Sequence, residues 1–290
     1  MDNTLLNAAL WEQNQTLLIG GVALISLVVG SFLNVVILRL PVMMDRDWRR
    51  ECKALLDTPA LSAPEAEPVS LAHPPSTCPG CGHRIRPHEN IPVLSYLLLR
   101  GRCGACRNPI PLRYPVVEAL TAVLSVVVVL HLGIGWYTAA ALLFTWALVA
   151  LTVIDLDHQL LPDSITLPLL WAGLVVNQLT GVLPLRDALW GAVFGYLSLW
   201  SVYWCFKLVT GKEGMGYGDF KLLAALGAWL GWMALPTIVL LSSLLGALTG
   251  IGMMLFKGMK RDNPFPFGPF LAGAGWITLL WGAELRHYWP

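Results

Sequence analysis

Charge is scarce in this sequence: only 13% of its 290 residues are Asp, Glu, Lys or Arg, while 56% are hydrophobic. An ordinary soluble domain carries roughly a quarter charged residues, so this balance excludes that class and fits a membrane protein. Net charge is nearly absent too, at +1, and the whole chain therefore gives no sign of a nucleic-acid partner. No strand runs into a G-x-G-x-x-G turn, which removes the mark of a Rossmann nucleotide site. The first fifteen residues hold no Lys or Arg. The apolar run after them is too long for a signal peptide and is expected to be a retained anchor. What the chain has in plenty is tryptophan, thirteen in all, a residue suited to anchoring at two lipid–water interfaces.

The uncharged run from Leu17 to Leu38 is long enough to cross about 30 Å of hydrocarbon at about 1.5 Å per residue. The polar stretch Arg39 to Pro115 holds most of the Pro, Cys and Arg punctuation and cannot lie in lipid. Seven further apolar segments follow: Val116–Leu132, Thr138–Ile154, Ile165–Leu179, Ala188–Phe206, Phe220–Trp232, Leu235–Phe256 and Phe267–Trp281. The expected fold is an all-α polytopic membrane protein of about eight transmembrane helices, with a small cytoplasmic zinc-ribbon-like domain inserted after the first. The expected divisions are 1–38 (tail and first helix), 39–115 (zinc-binding domain) and 116–290 (multi-helix membrane domain). Threading eight spans from an outside N-terminus puts seventeen of the nineteen Lys and Arg on one side, with Arg186 and Arg286 on the other. The positive-inside rule names the crowded side cytoplasmic.

Cys78-Pro-Gly-Cys81 and Cys103-Gly-Ala-Cys106 are two C-x-x-C pairs in that polar stretch. Their spacing is close to that of a zinc ribbon. Four thiolates fill a tetrahedral zinc shell with no open position, so the site is expected to be structural. Gly82 and Gly104 are expected to relieve the backbone of the two knuckles. A pair of disulfides is the competing reading, disfavoured in a reducing cytoplasm and by the geometry of such short pairs. His83 and His88 are rival ligands expected to be surface residues. Cys205 reads as a packing residue at lipid depth, and Cys52 has no partner at metal spacing.

Acidic residues at the edges of apolar spans are functional candidates. Asp155 ends one span, and Asp219 follows Gly214-Met-Gly216-Tyr-Gly218 just before another. Threading puts both at cytoplasmic span ends. Two carboxylates that share one proton can hydrolyse a peptide: one takes a proton from water while the other acts as acid towards the scissile carbonyl. Gly216 and Gly218 leave room for a substrate strand. A plainer reading makes each Asp a helix cap or the partner of Lys221 or Lys207. Asp157, Asp163, Asp187 and Asp262 read as caps or loop acids, and Glu118 is ambiguous.

With these residues in place, the chain resembles the bifunctional type IV prepilin peptidase and N-methyltransferase family. Gly216-Tyr-Gly218-Asp219 is similar to the G-x-G-D signature of aspartyl proteases of intramembrane type, and Asp155 with Leu161-Pro-Asp163 looks like the companion motif. Leu161 stands where many members have Ile. Gly30-Ser-Phe-Leu-Asn34, the two knuckles flanking Glu89-Asn-Ile-Pro92, and Pro266-Phe-Gly-Pro-Phe270 resemble the same family in order. The resemblance implies cleavage of a prepilin or pseudopilin after the glycine ending its basic leader, with Asp155 and Asp219 as the catalytic pair. It also implies N-methylation of the new amino terminus by S-adenosylmethionine, with Gly101 matched to a family glycine near the methyl-donor site. It implies a multi-pass protein of the bacterial inner membrane, its N-terminus periplasmic and its active site facing the cytoplasm.

Two other classes compete. An ion- or proton-coupled transporter would use Asp155 and Asp219 as a relay, but prefers acids at the bilayer midplane and similar halves. A scaffold subunit would use the cysteine module for docking and leaves the Gly-rich approach to Asp219 without a purpose.

Overall fold

The structure, a computed structural model, describes residues 3–55, 69–212, 214–257 and 266–288. Its elements are α1 (Asn3–Leu55), α2 (Leu94–Leu98), α3 (Arg113–Leu132), α4 (Trp136–His158), α5 (Asp163–Thr180), α6 (Leu185–Thr210), α7 (Tyr217–Leu230), α8 (Leu235–Lys257) and α9 (Gly268–Tyr288). Short 3₁₀ turns lie at Pro87–Asn90 and Trp232–Ala234. Among the described residues the only β pairing is two isolated bridges, Thr77 with Arg84 and Arg102 with Pro109. The all-helical membrane class read from the composition is what the structure has.

Each of the eight apolar segments coincides with a helix, but the helices are not equivalent. Among the described residues five stretches, Asn14–Leu55, Arg113–Leu132, Trp136–His158, Leu185–Thr210 and Trp232–Leu255, are long and apolar enough to cross a membrane. α7, at 14 residues, rises only about 21 Å, short of a hydrocarbon core of about 30 Å. α1 continues beyond its apolar part into a charged turn-and-a-half where Asp45 pairs with Arg49 at 2.8 Å and Asp47 with Arg50 at 3.3 Å. The polar stretch expected after residue 38 thus begins as helix, because i,i+3 and i,i+4 pairs hold its exposed faces.

The chain divides into two compact units, Gln13–Val127 and Val128–Pro290 together with Met1–Glu12. In the second, α7 is the centre. Every residue from Asp219 to Trp229 except Lys221 is buried, and glycines on the surrounding helices let it be gripped closely. A Cβ on Gly191 of α6 would collide with the Gly227 carbonyl, one on Gly195 would stand 2.6 Å from Leu223 O, one on Gly173 of α5 would meet Trp229 at 2.5 Å, and one on Gly275 of α9 would meet Leu226 at 2.5 Å. The last carbonyls of α7 have no partners inside the helix. Asn177 of α5 supplies them, its Nδ2 donating to Ala228 O at 2.9 Å and Trp229 O at 3.1 Å, while Trp229 Nε1 donates to Leu169 O at 2.8 Å. A short helix in this position has its backbone satisfied by protein rather than by a full crossing of lipid.

In the first unit, α1 and α3 pack where Gly30 lies against the Glu118 backbone, a Cβ there standing 2.7 Å from Glu118 Cα. Asn34 Nδ2 donates to Tyr114 O at 3.1 Å. Arg39 donates to the carbonyls of Ser70, Leu71 and Pro74 at 2.6–3.3 Å, fastening the start of the cysteine-bearing segment to the end of the apolar part of α1.

Candidate active site

Asp155 occupies the last turn of α4, which ends in a left-handed Gln159 whose N–H bonds Asp155 O. Asp219 stands in the first turn of α7, with its N–H on Gly216 O at 3.3 Å and its carboxylate hydrogen-bonded by the Gly216 backbone. The two residues are 5% and 7% exposed, and their side chains lie within electrostatic reach of each other. Two acids far apart in sequence are thus brought to one neighbourhood at helix ends, close enough to influence each other's charge.

A third segment completes the pair. Gly268 opens α9 and donates its backbone N–H to Asp155 Oδ2 at 3.0 Å. That N–H is one of those a helix start leaves without an internal acceptor, and a Cβ at residue 268 would stand 2.7 Å from the same oxygen. The sequence singles out Pro266-Phe-Gly-Pro-Phe270 only as a motif; the available signal was Gly268 followed by Pro at the start of an apolar run, a helix beginning with a free donor.

Lys221 does not neutralise either acid. Its Nζ bonds both carboxylate oxygens of Asp163, at 2.7 and 2.6 Å, joining the first turn of α5 to α7. Asp163 sits just after Pro162, the residue capping α5, and Asp187 lies in the first turn of α6. Asp157 is exposed at the end of α4, and Asp262 lies outside the described residues. Lys207 bonds the Tyr203 hydroxyl at 3.1 Å.

The four cysteines converge. Cys78, Cys81, Cys103 and Cys106 have sulfurs within 4.8 Å of one another, with Cys78 Sγ and Cys106 Sγ 3.7 Å apart. Zinc–sulfur bonds of about 2.3 Å in a tetrahedron place sulfurs about 3.8 Å apart, so the donor set and its spacing fit zinc. The knuckles repeat one geometry: Gly82 N–H donates to Cys78 O at 2.9 Å and Arg107 N–H to Cys103 O at 3.0 Å. The N–H groups of Gly80 and Cys81 hold the Cys78 thiol down to about 7 from 9.0, and those of Cys106 and Ala105 lower Cys103 in the same way. Both first cysteines are thereby inclined to the thiolate that a metal binds.

Two details differ from the sequence expectation. The left-handed residues are Gly82 (φ 70°) and Arg107 (φ 63°), not Gly82 and Gly104. Gly104 is small for another reason: a Cβ there would stand 2.8 Å from Glu89 Oε1. Glu89 crosses between the knuckles, its Oε2 accepting from Arg86 N–H at 2.8 Å and lying 3.1 Å from His83 Nε2. The Arg86 N–H, followed by His83, holds the Glu89 carboxyl below its ordinary 4.5. His83 is therefore engaged by Glu89, and His88 is exposed. Cys52 and Cys205 are both exposed, the latter on the apolar helix α6.

Gly101 is buried, with φ 67°. Its N–H bonds Tyr96 O at 2.8 Å, its carbonyl accepts Ile110 N–H at 2.8 Å, and a Cβ would stand 2.7 Å from Tyr96 Oη. The chain turns tightly there beneath the Tyr96 ring, which accounts for glycine at 101. The ambiguous Glu118 is buried. It accepts the Val93 N–H at 2.8 Å and a hydrogen bond from Ser31, holding Val93 at φ 59°, ψ −47°, a costly conformation for a β-branched residue.

Fold and site define a helical membrane protein with a paired-carboxylate centre and a four-cysteine module. Residues 24–132 match the bacterial peptidase A24 N-terminal domain, and residues 142–251 match the type IV leader peptidase family. The chain is 59% identical over 268 residues to a prepilin leader peptidase/N-methyltransferase of Aeromonas salmonicida, covering 92% of each chain. A protein of the same name from Pseudomonas aeruginosa is 56% identical over 264 residues, 91% of this chain and 90% of that one, and one from Xanthomonas campestris is 48% identical over 261 residues, 90% of each. No solved structure matches the chain. The chain belongs to the type IV leader peptidase family.

Proposed function

We propose that this enzyme cleaves the leader from type IV prepilins or pseudopilins and methylates the amino terminus it frees, with S-adenosylmethionine as methyl donor. The observation that carries the reading is the meeting of Asp155 and Asp219 from two helix ends in a chain alike along nine-tenths of its length to relatives of that name. The pair shares one proton. The ionised carboxylate takes a proton from water as the water oxygen attacks the scissile carbonyl, and the protonated one donates to the carbonyl oxygen; the first then gives its proton to the nitrogen while the second takes one back from a hydroxyl, so that the C–N bond breaks to leave a carboxylic acid and the new amine. The Gly268 N–H steadies Asp155 in this work, Gly216 lets the substrate backbone approach, and Gly218 lets Leu161 pack against the segment that carries Asp219.

Residues 39–115 serve as the metal module, with zinc on Cys78, Cys81, Cys103 and Cys106 holding the knuckles closed without entering the chemistry. The membrane is the bacterial inner membrane, with the N-terminus periplasmic and the module and dyad facing the cytoplasm, a reading supported by the one-sided distribution of Lys and Arg. Methyl transfer is assigned to the Asn90–Gly101 neighbourhood, with Gly101 shaping the backbone rather than touching the donor. The ion-relay alternative has no support, since both acids sit at helix ends beside glycine turns.

The test is incubation of the detergent-purified chain with a prepilin, beside Asp155→Asn and Asp219→Asn, followed by product mass with and without S-adenosylmethionine. Leader loss in the wild type alone, plus one methyl's mass when the donor is present, supports both activities. Cleavage persisting in either Asn variant removes that aspartate from the mechanism.

A further inference from the structure

A glycine lies against each of the two carboxylates. A Cβ at Gly216 would stand 3.8 Å from Asp219 Oδ2, and one at Gly268 would stand 2.7 Å from Asp155 Oδ2. A side chain from elsewhere in the chain also packs here. Leu161 places its Cβ 2.7 Å and its Cδ1 3.3 Å from where a Gly218 Cβ would be, and its Cδ2 3.1 Å from where a Gly268 Cβ would be. Gly218 immediately precedes Asp219 and Gly268 bonds Asp155, so the same leucine packs on the backbone of both acid-bearing segments.

Leu161 is held there. The next residue, Pro162, is buried and fixed at φ −60° as the cap of α5. One residue further, Asp163 is tied to Lys221 of α7 by a pair of bonds. The backbone that carries the leucine therefore cannot shift without moving the start of α5.

This geometry bears on what can be cut. In a two-carboxylate hydrolysis the reacting atoms are the carbonyl carbon, its oxygen and the amide nitrogen, and the Cα on the acyl side is one bond from that carbon. A side chain on that residue would begin at the surface where the enzyme's own chain has dispensed with Cβ atoms and Leu161 has filled the space. We propose that Leu161 is a specificity-determining residue that limits the residue on the acyl side of the cleaved bond to glycine. The inference rests on Asp155 and Asp219 being the catalytic pair.

The test uses the full chain in detergent and two pilin-like substrates that differ only in Gly or Ala before the scissile bond, with initial rates read by product mass. Leu161→Ala is expected to keep cutting the Gly substrate and to raise the Ala-to-Gly rate ratio roughly tenfold or more, the range that a methyl-sized change in an apolar pocket produces. Leu161→Val should fall between, and Leu161→Ile, equal in volume, should keep the wild-type ratio. An unchanged ratio in Leu161→Ala overturns the inference, whether both rates rise or both fall. So does relaxation in Leu161→Ile, since volume would then not be the cause. If neither Leu161→Ala nor Leu161→Val cuts either substrate while melting like the wild type, Leu161 serves the reaction itself and the inference falls. Cleavage of the Gly substrate by Asp155→Asn strikes instead at the dyad reading, and the two failures are told apart by which variant shows them.

Discussion

At the scale of single residues, the two aspartates carry a direct prediction. Replacing Asp155 or Asp219 with Asn removes a proton acceptor and donor, and cleavage should fall by at least ~100-fold in each case, measured as initial rate on a prepilin substrate with folding checked by thermal melting. Glu118 makes a second. Its carboxylate accepts the Val93 N–H at a non-glycine position of positive φ. Glu118→Ala leaves that N–H unpaired in a buried place, a loss of about 1–3 kcal/mol, and should lower the melting temperature; Glu118→Gln keeps an acceptor oxygen and should lower it less. Equal melting of the Ala and Gln variants would show that the bond to Val93 contributes nothing. The aspartates were legible in the sequence because acids at the ends of apolar runs are few. Glu118 and Gly268 were not: one looked like any acid near a span's start, and the other acts through a backbone N–H that every residue type except proline carries.

The elements show how far patterning reaches. Hydropathy found eight apolar segments and each is a helix, because an uncharged run of this length has its backbone satisfied in no other way inside lipid. Hydropathy could not say that α7 is walled in by α5, α6 and α9, since burial in protein and burial in lipid select the same residues. That role predicts sensitivity where the sequence shows only small residues. Gly227→Leu or Gly191→Leu should block the approach of α6 to α7, at a cost above the ~1–3 kcal/mol of ordinary overpacking because backbone is what they would strike. The expected readout is a sharp fall in the yield of monodisperse protein, with Gly250→Leu, which meets nothing within 4 Å, as the tolerated control. The cysteine module has its own prediction. Metal analysis of the purified chain should find about one zinc per molecule, and Cys78→Ser or Cys103→Ser should lose it. Retention of full zinc in Cys103→Ser would move the site away from the four sulfurs.

For the whole molecule, the charge distribution predicts sidedness. Single cysteines placed at Val182 and at Lys212 on a background that lacks Cys52 and Cys205 but keeps the four clustered cysteines should react with an impermeant maleimide from opposite faces, Val182→Cys from outside and Lys212→Cys only after the membrane is opened. The reverse pattern would invert the orientation and put the dyad on the wrong face for a cytoplasmic leader. By itself the sequence determined the membrane class, the helix positions, the four-cysteine set and the two acids, because each is written locally in charge, hydropathy or spacing. Only the tertiary structure decided that Asp155 and Asp219 approach each other, that Gly268 bonds one of them, that Lys221 serves Asp163, and that Leu161 stands between the acid-bearing segments. These are relations between positions tens of residues apart, set by which helix faces pack together, and no local pattern in a single chain encodes them.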